Sequence, residues 1–312
     1  MLMLTRIAVI ALNTYREAVR ARLLHGLFAV ALATAGYSLV VGQFALRSSL
    51  RVISDLGAAS VSVFGIVVAV VLGATSLYRE LELKTIFPIL ARPVRRTEYV
   101  VGKYFGIVVT VFVFIAADSG VLLFAIGTMT DAPLTASLAL LGGSFAGALI
   151  VAWKVPRART YVPVLLAIAL ALGGAAVTGG APDERRVVLG AALLTLGEVA
   201  IVTAIAIVFS SFSSPFLTAI FTFGSFVVGR SADTLAHMPS RIFGTPIHDA
   251  AVGLSKIVPN LMVYVPPRSL LTGESIGISL ADYLGLAALQ SAAWSICLLA
   301  FASVLFRRRD FL

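Results

Sequence analysis

Long apolar runs separated by short polar breaks set the pattern of this chain. Runs at 23–46, 57–77, 99–127, 134–153, 161–178, 187–209, 216–229 and 283–306 predict eight transmembrane helices. If 134–153 or 161–178 is instead a re-entrant hairpin or a helix outside the membrane, the count falls to six or seven. Ahead of the first run, residues 4–22 place Leu4, Ile7, Ala8, Ala11, Leu12 and Tyr15 on one helical stripe. Arg6, Asn13, Arg16, Glu17 and Arg20 fall largely on the other side. That segment (1–22 with its flanks) reads as a helix lying in the membrane interface or as a basic flank of the first span. It lacks the apolar core and small-residue cleavage site of a cleavable signal.

One polar break differs from the rest. Leu77–Lys103, LYRELELKTIFPILARPVRRTEYVVGK, carries Arg79, Lys84, Arg92, Arg95, Arg96 and Lys103 beside Glu80, Glu82 and Glu98. Each such ion costs about 2.5–3.5 kcal/mol at the centre of a membrane helix, so the segment belongs in water. Its excess of Lys and Arg assigns it to the cytoplasm. Tyr78–Leu90 fits a short helix, and Pro93 breaks the turn that follows. With both termini cytoplasmic, about 16 of the 24 basic residues fall on the inside. Residues 230–282 form a long polar segment on the outside.

Composition agrees with a polytopic all-α membrane protein. The chain is 59% hydrophobic and 12% charged, against about a quarter charged for soluble domains. The net charge of +9 collects at helix ends, which makes it a topology signal and no sign of nucleic-acid binding. The single Cys297 can form no intrachain disulfide. No Gly-rich phosphate loop and no zinc-type spacing is present, so an ATPase domain is absent from this chain.

The motifs of the charged segment carry a resemblance. Glu80-x-Glu82-x-x-Thr85-Ile86, then Leu90-x-x-Pro93-x-x-Arg96 and Gly102-Lys103, resemble the cytoplasmic loop of ABC type-2 transporter permeases. The nearest branch is the permease of nitrous-oxide-reductase and multicopper-enzyme maturation. Phe209-Ser210-Ser211-Phe212 before Pro215, Val258-Pro259-Asn260 before Pro266, and Phe306-x-Arg308-Arg309-Asp310 are similar to that family's later motifs. The resemblance implies an elbow helix over 1–22, a six-helix core, and a coupling helix within 78–98 that docks on an ATPase subunit. Residues 134–178 then look like an additional helix pair. Glu80, Glu82, Lys84, Thr85 and Ile86 would form the docking helix, burying Leu83 and Ile86 in a groove. Arg92, Pro93, Arg96, Gly102 and Lys103 would fix its exit.

The resemblance further implies a non-enzymatic permease that binds no cofactor of its own, in the inner membrane of a prokaryote. ATP and Mg sit on two copies of the partner ATPase. Other implied partners are a second copy of this chain or a similar permease, membrane lipid, and an extracytoplasmic accessory protein, with export as the direction.

Two acids fall inside predicted spans, Asp118 and Glu198. They line a pathway or hydrogen-bond to a neighbouring helix. Apart from Lys103, near the start of the 99–127 run, no basic residue falls inside those spans, so the sequence supports no buried ion pair. In an ion-coupled secondary transporter, Asp118 and Glu198 would be the proton sites, but that class shows internal inverted repeats and none is evident. An intramembrane enzyme needs a paired nucleophile and base, and Cys297 has no His near it in sequence. Gly142, Gly143, Gly147, Gly173 and Gly174 permit close helix approach or simply belong to small-residue spans. His237, Met238 and His248 have irregular spacing and read as ordinary loop residues, with no metal site expected.

Overall fold

A computed structural model describes residues 2–45, 48–82, 95–130, 134–238, 244–274 and 277–308. Among these the main elements are α1 (Leu2–Arg20), α2 (Arg22–Phe44), α3 (Ser49–Glu82), α4 (Arg96–Gly127), α5 (Leu134–Lys154) and α6 (Val162–Val177). Then come α7 (Pro182–Ser210), α8 (Pro215–Arg230), α9 (Ala232–Ala236), α10 (Thr245–Ile257), α11 (Arg268–Thr272) and α12 (Leu280–Arg308). No strand occurs among the described residues. Among the described residues seven helices, α2–α7 and α12, are long and apolar enough to cross a membrane. The chain is a polytopic α-helical membrane protein.

Burial sorts these helices into layers. The apolar stretches of α4 and α7 are 72% buried, which makes them the centre of the bundle, packed on each other and on α3. Such helices must be apolar on all sides, because every face meets protein or lipid. α2 and α12 flank this core, and α6 packs along α4. The stretch in α5 is only 6% buried, since α5 rests mainly on α6 and turns Leu138, Phe145, Leu149 and Trp153 outward. α5 is therefore peripheral, held to the core through α6.

The glycines of the added pair divide accordingly. At Gly174 a Cβ would stand 2.6 Å from the Gly120 carbonyl oxygen, so α4 and α6 touch backbone to backbone there. Gly142, Gly143 and Gly147 have no atom within 4 Å of the position a Cβ would take.

Two boundaries differ from the sequence-based expectation. Arg51 and Asp55, which fall in the polar break between the predicted spans 23–46 and 57–77, lie in the first turns of α3 and pair at i,i+4, at 3.8 Å. The pairing favours helix at these positions, and α3 runs for 34 residues with a rise of about 51 Å. The expected eighth span is the second correction. α8 has 16 residues and rises about 24 Å, short of the ~30 Å hydrocarbon core. Arg230 and the chain turn that follows end it early.

Candidate functional site

The first turns of α4 gather three other elements. Glu98 caps the helix by accepting the Arg95 backbone N–H at 3.1 Å. The same carboxylate is 3% exposed and stands 3.7 Å from Arg6 of α1. One turn on, Lys103 is 3% exposed and lies 3.9 Å from Glu17 of α1. Its ammonium also donates to the Ser76 carbonyl of α3 at 3.4 Å. Arg96 donates to the Phe306 carbonyl of α12 at 3.1 Å, where a cation suits the helix C-terminus. Tyr99 stacks on the Phe306 ring at 6.0 Å.

Glycine makes this junction tight. A Cβ on Gly102 would stand 2.7 Å from Ile10 Cβ, and one on Gly106 would stand 2.6 Å from the Ala11 carbonyl oxygen. The i,i+4 pair is thus the groove that receives α1. Arg96, Gly102 and Lys103 are helical residues that clasp α1, α3 and α12. Glu80 and Glu82 fall in the last turns of α3. Lys84, Thr85, Ile86, Arg92 and Pro93, with most of the expected coupling helix, lie outside the described residues.

A buried ion pair forms deeper in the bundle, where none was expected. Glu198 of α7 is fully buried, and Arg230, the last residue of α8, is 26% exposed. Arg230 Nε donates to Glu198 Oε1 at 2.6 Å and Nη2 to Oε2 at 2.7 Å, a bidentate fork. Nη2 also donates to Ser62 of α3 at 3.0 Å, and Phe226 lies under the guanidinium at 5.4 Å. The pair exists because α8 is short. Its terminal arginine stops at the depth of Glu198 instead of reaching the far interface.

Arg230 also borders a cavity of about 360 Å3 between α3, α7 and α8. At its other end Arg268 holds Asp55, the Ser54 hydroxyl at 3.0 Å and Glu184 at 3.4 Å. The wall between is the stretch around Tyr264. Leu261 N–H bonds the Gly229 carbonyl at 3.0 Å, and Tyr264 donates to the Ala287 carbonyl at 3.1 Å. The Tyr264 ring fits against Gly197, where a Cβ would meet it at 2.7 Å. Gly197 is close to the midpoint of α7. Part of the segment read as outside therefore reaches far down the bundle.

Asp118 stands apart from this pair. It is fully buried, and neither carboxylate oxygen has a hydrogen-bond partner among the described residues. Ile115 and Thr195 both approach Gly65. From that level Asp118 lies one turn along α4 toward Gly57, and Glu198 one turn along α7 toward Gly73. The two acids diverge and do not form a single site.

The remaining sequence candidates have local roles. His237 Nδ1 meets the Asp233 carbonyl at 2.9 Å, and His248 Nδ1 the Met238 carbonyl at 2.7 Å. Among the described residues no three His, Cys, Asp or Glu side chains gather as metal ligands. Cys297 is exposed on α12. Arg230 is the residue that sequence reasoning missed, and the signal was the 14-residue run before it, too short to carry an arginine across a bilayer. No family model matches the chain, and no curated protein matches it.

Proposed function

We propose that this chain is the permease subunit of an ABC transporter, driven by separate ATPase subunits and working in export. The observation that supports this reading best is the seat of the charged segment. Residues 83–94 join the two longest helices among the described residues, α3 of 34 residues and α4 of 32. The first turns of α4 in turn grip α1, α3 and α12 through Glu98, Lys103 and Arg96. A force applied to that segment would reach three further elements at once. In this reading α1 is the interfacial elbow helix and the segment carries the coupling helix. Two copies of the chain, or one with a similar partner, complete the membrane unit. Both termini and the coupling segment face the cytoplasm.

The test is a mild-detergent pull-down of the tagged chain from its native membrane, with an ATPase assay on the product. An ATPase subunit should accompany wild type and be lost or uncoupled in Glu82→Arg and Thr85→Asp. A preparation that brings down no ATPase, while a known ABC complex survives the same conditions, would count heavily against the reading.

The unpartnered Asp118 favours a second reading, an ion-coupled transporter. Glu198 fits that role poorly, because both its oxygens are occupied by Arg230. Asp118→Asn separates the two. ATP-driven activity should stay within about twofold of wild type, since an amide of the same shape keeps the packing. Proton-coupled flux abolished by this change would sustain the second reading.

A further inference from the structure

α1, α2, α4 and α6 enclose a narrow apolar crevice of about 120 Å3. Val19, Leu24, Phe28, Val113, Phe114 and Leu166 line it, with His25 also in its wall. The volume suits a run of methylene groups and leaves no room for a polar head. Arg20 and Arg22 are exposed beside the lining residues Val19 and Leu24. The connection from α5 to α6 adds Lys154, Arg157 and Arg159, all exposed.

That connection is tied to α1. Tyr15 donates to the Thr160 carbonyl at 3.1 Å, and Arg16 Nη2 to the Tyr161 hydroxyl at 3.3 Å. Burial pushes the Tyr15 hydroxyl up to about 12, with Tyr161 adding to the effect, so Tyr15 stays a donor. Arg16 Nε is buried and has no partner among the described residues. Near these six cations the acid in α1 is Glu17, and Lys103 already engages it. Like charges gathered on one connection and on the helix tied to it repel unless an anion joins them. A buried guanidinium N–H also costs free energy until an acceptor reaches it.

We infer that this crevice binds an anionic phospholipid, one acyl chain between α1, α2, α4 and α6 and the phosphate on Arg16, Arg20 and Arg22. The site assembles only where the added pair α5–α6 meets α1, which gives that pair a role in holding lipid. The inference does not rest on the transport reading. It uses the apolar slot, the unanswered Arg16 donor and the concentration of positive charge at its mouth. Basic pockets between transmembrane helices recognise acidic lipid heads by this chemistry.

The experiment is native mass spectrometry of the full chain in detergent, titrated with dioleoyl-phosphatidylglycerol, dioleoyl-phosphatidylcholine or inorganic phosphate. One phosphatidylglycerol should stay bound where phosphatidylcholine is lost. Arg20→Gln and Arg22→Gln should each weaken binding about fivefold. Leu24→Trp, which fills the slot, should abolish it. Thermal midpoints measured alongside identify any variant that fails to fold. The exposed Arg20 and Arg22 variants keep the test decisive even if Leu24→Trp does. Equal retention of phosphatidylcholine overturns the inference, and so does unchanged binding in both arginine variants. Full displacement of phosphatidylglycerol by millimolar phosphate overturns the lipid assignment in favour of a free-anion site.

Discussion

Arg230→Met should destabilise the folded chain by about 3–5 kcal/mol, the range for removing one partner of a buried ion pair. Most of that loss is the penalty on the survivor. Glu198 is fully buried, and without Arg230 neither of its oxygens keeps a donor. The reverse change should cost less. Glu198→Gln leaves a guanidinium that is 26% exposed and borders a cavity of about 360 Å3, where water can reach it. The double variant Glu198→Gln/Arg230→Met should recover most of the single loss, because no charge then remains buried. Thermal unfolding of detergent-purified protein gives all four midpoints of this cycle. If Arg230→Met is as stable as wild type, the pair contributes nothing and α8 is held by other contacts.

Gly106→Leu is the second change with a large expected effect. The new Cβ would lie 2.6 Å from the Ala11 carbonyl oxygen and 2.5 Å from Thr14 Cβ. A backbone atom cannot swing aside, so the whole of α1 must move. Overpacking of this kind costs about 1–3 kcal/mol, which raises the local opening equilibrium of α1 about five- to 150-fold. Amide hydrogen exchange over residues 6–18 reads that change directly. Gly143→Leu is the matched control, since open space surrounds that glycine and exchange in α1 should not alter. Equal exchange in both variants would mean that α1 does not depend on the Gly102 and Gly106 groove.

Most of the helices were legible because each depends on its own residues. α4 is apolar over most of its length, and Glu98 in its first turn marks the start. What escaped the sequence was pairing between elements. Gly102 and Lys103 stand next to a charged segment and read naturally as its exit, yet their partners are Ile10 and Glu17, far back in the chain. Arg230 looked like the first residue outside the membrane because a 14-residue run was counted as a span. Whether a cation meets water or an acid there depends on how far α8 rises, and on a residue of α7 that is 32 positions earlier. Asp118 was legible as an intramembrane acid, but that it has no hydrogen-bond partner among the described residues is a property of the packed interface alone.

The shortness of α8 has a consequence for the bilayer itself. At about 24 Å it falls some 6 Å short of a ~30 Å hydrocarbon core, and its end carries a charge. A membrane cannot leave that gap open. Where the stretch that bonds back to Gly229 does not fill it, lipids must tilt and compress or water must enter above Arg230, each at a fraction of a kcal/mol per ångström. The expected consequence is a local thinning of the bilayer along the exposed face of α8 that carries Phe223 and Val227. The protein should partition toward thinner bilayers, and acyl-chain length becomes a variable to which its behaviour responds.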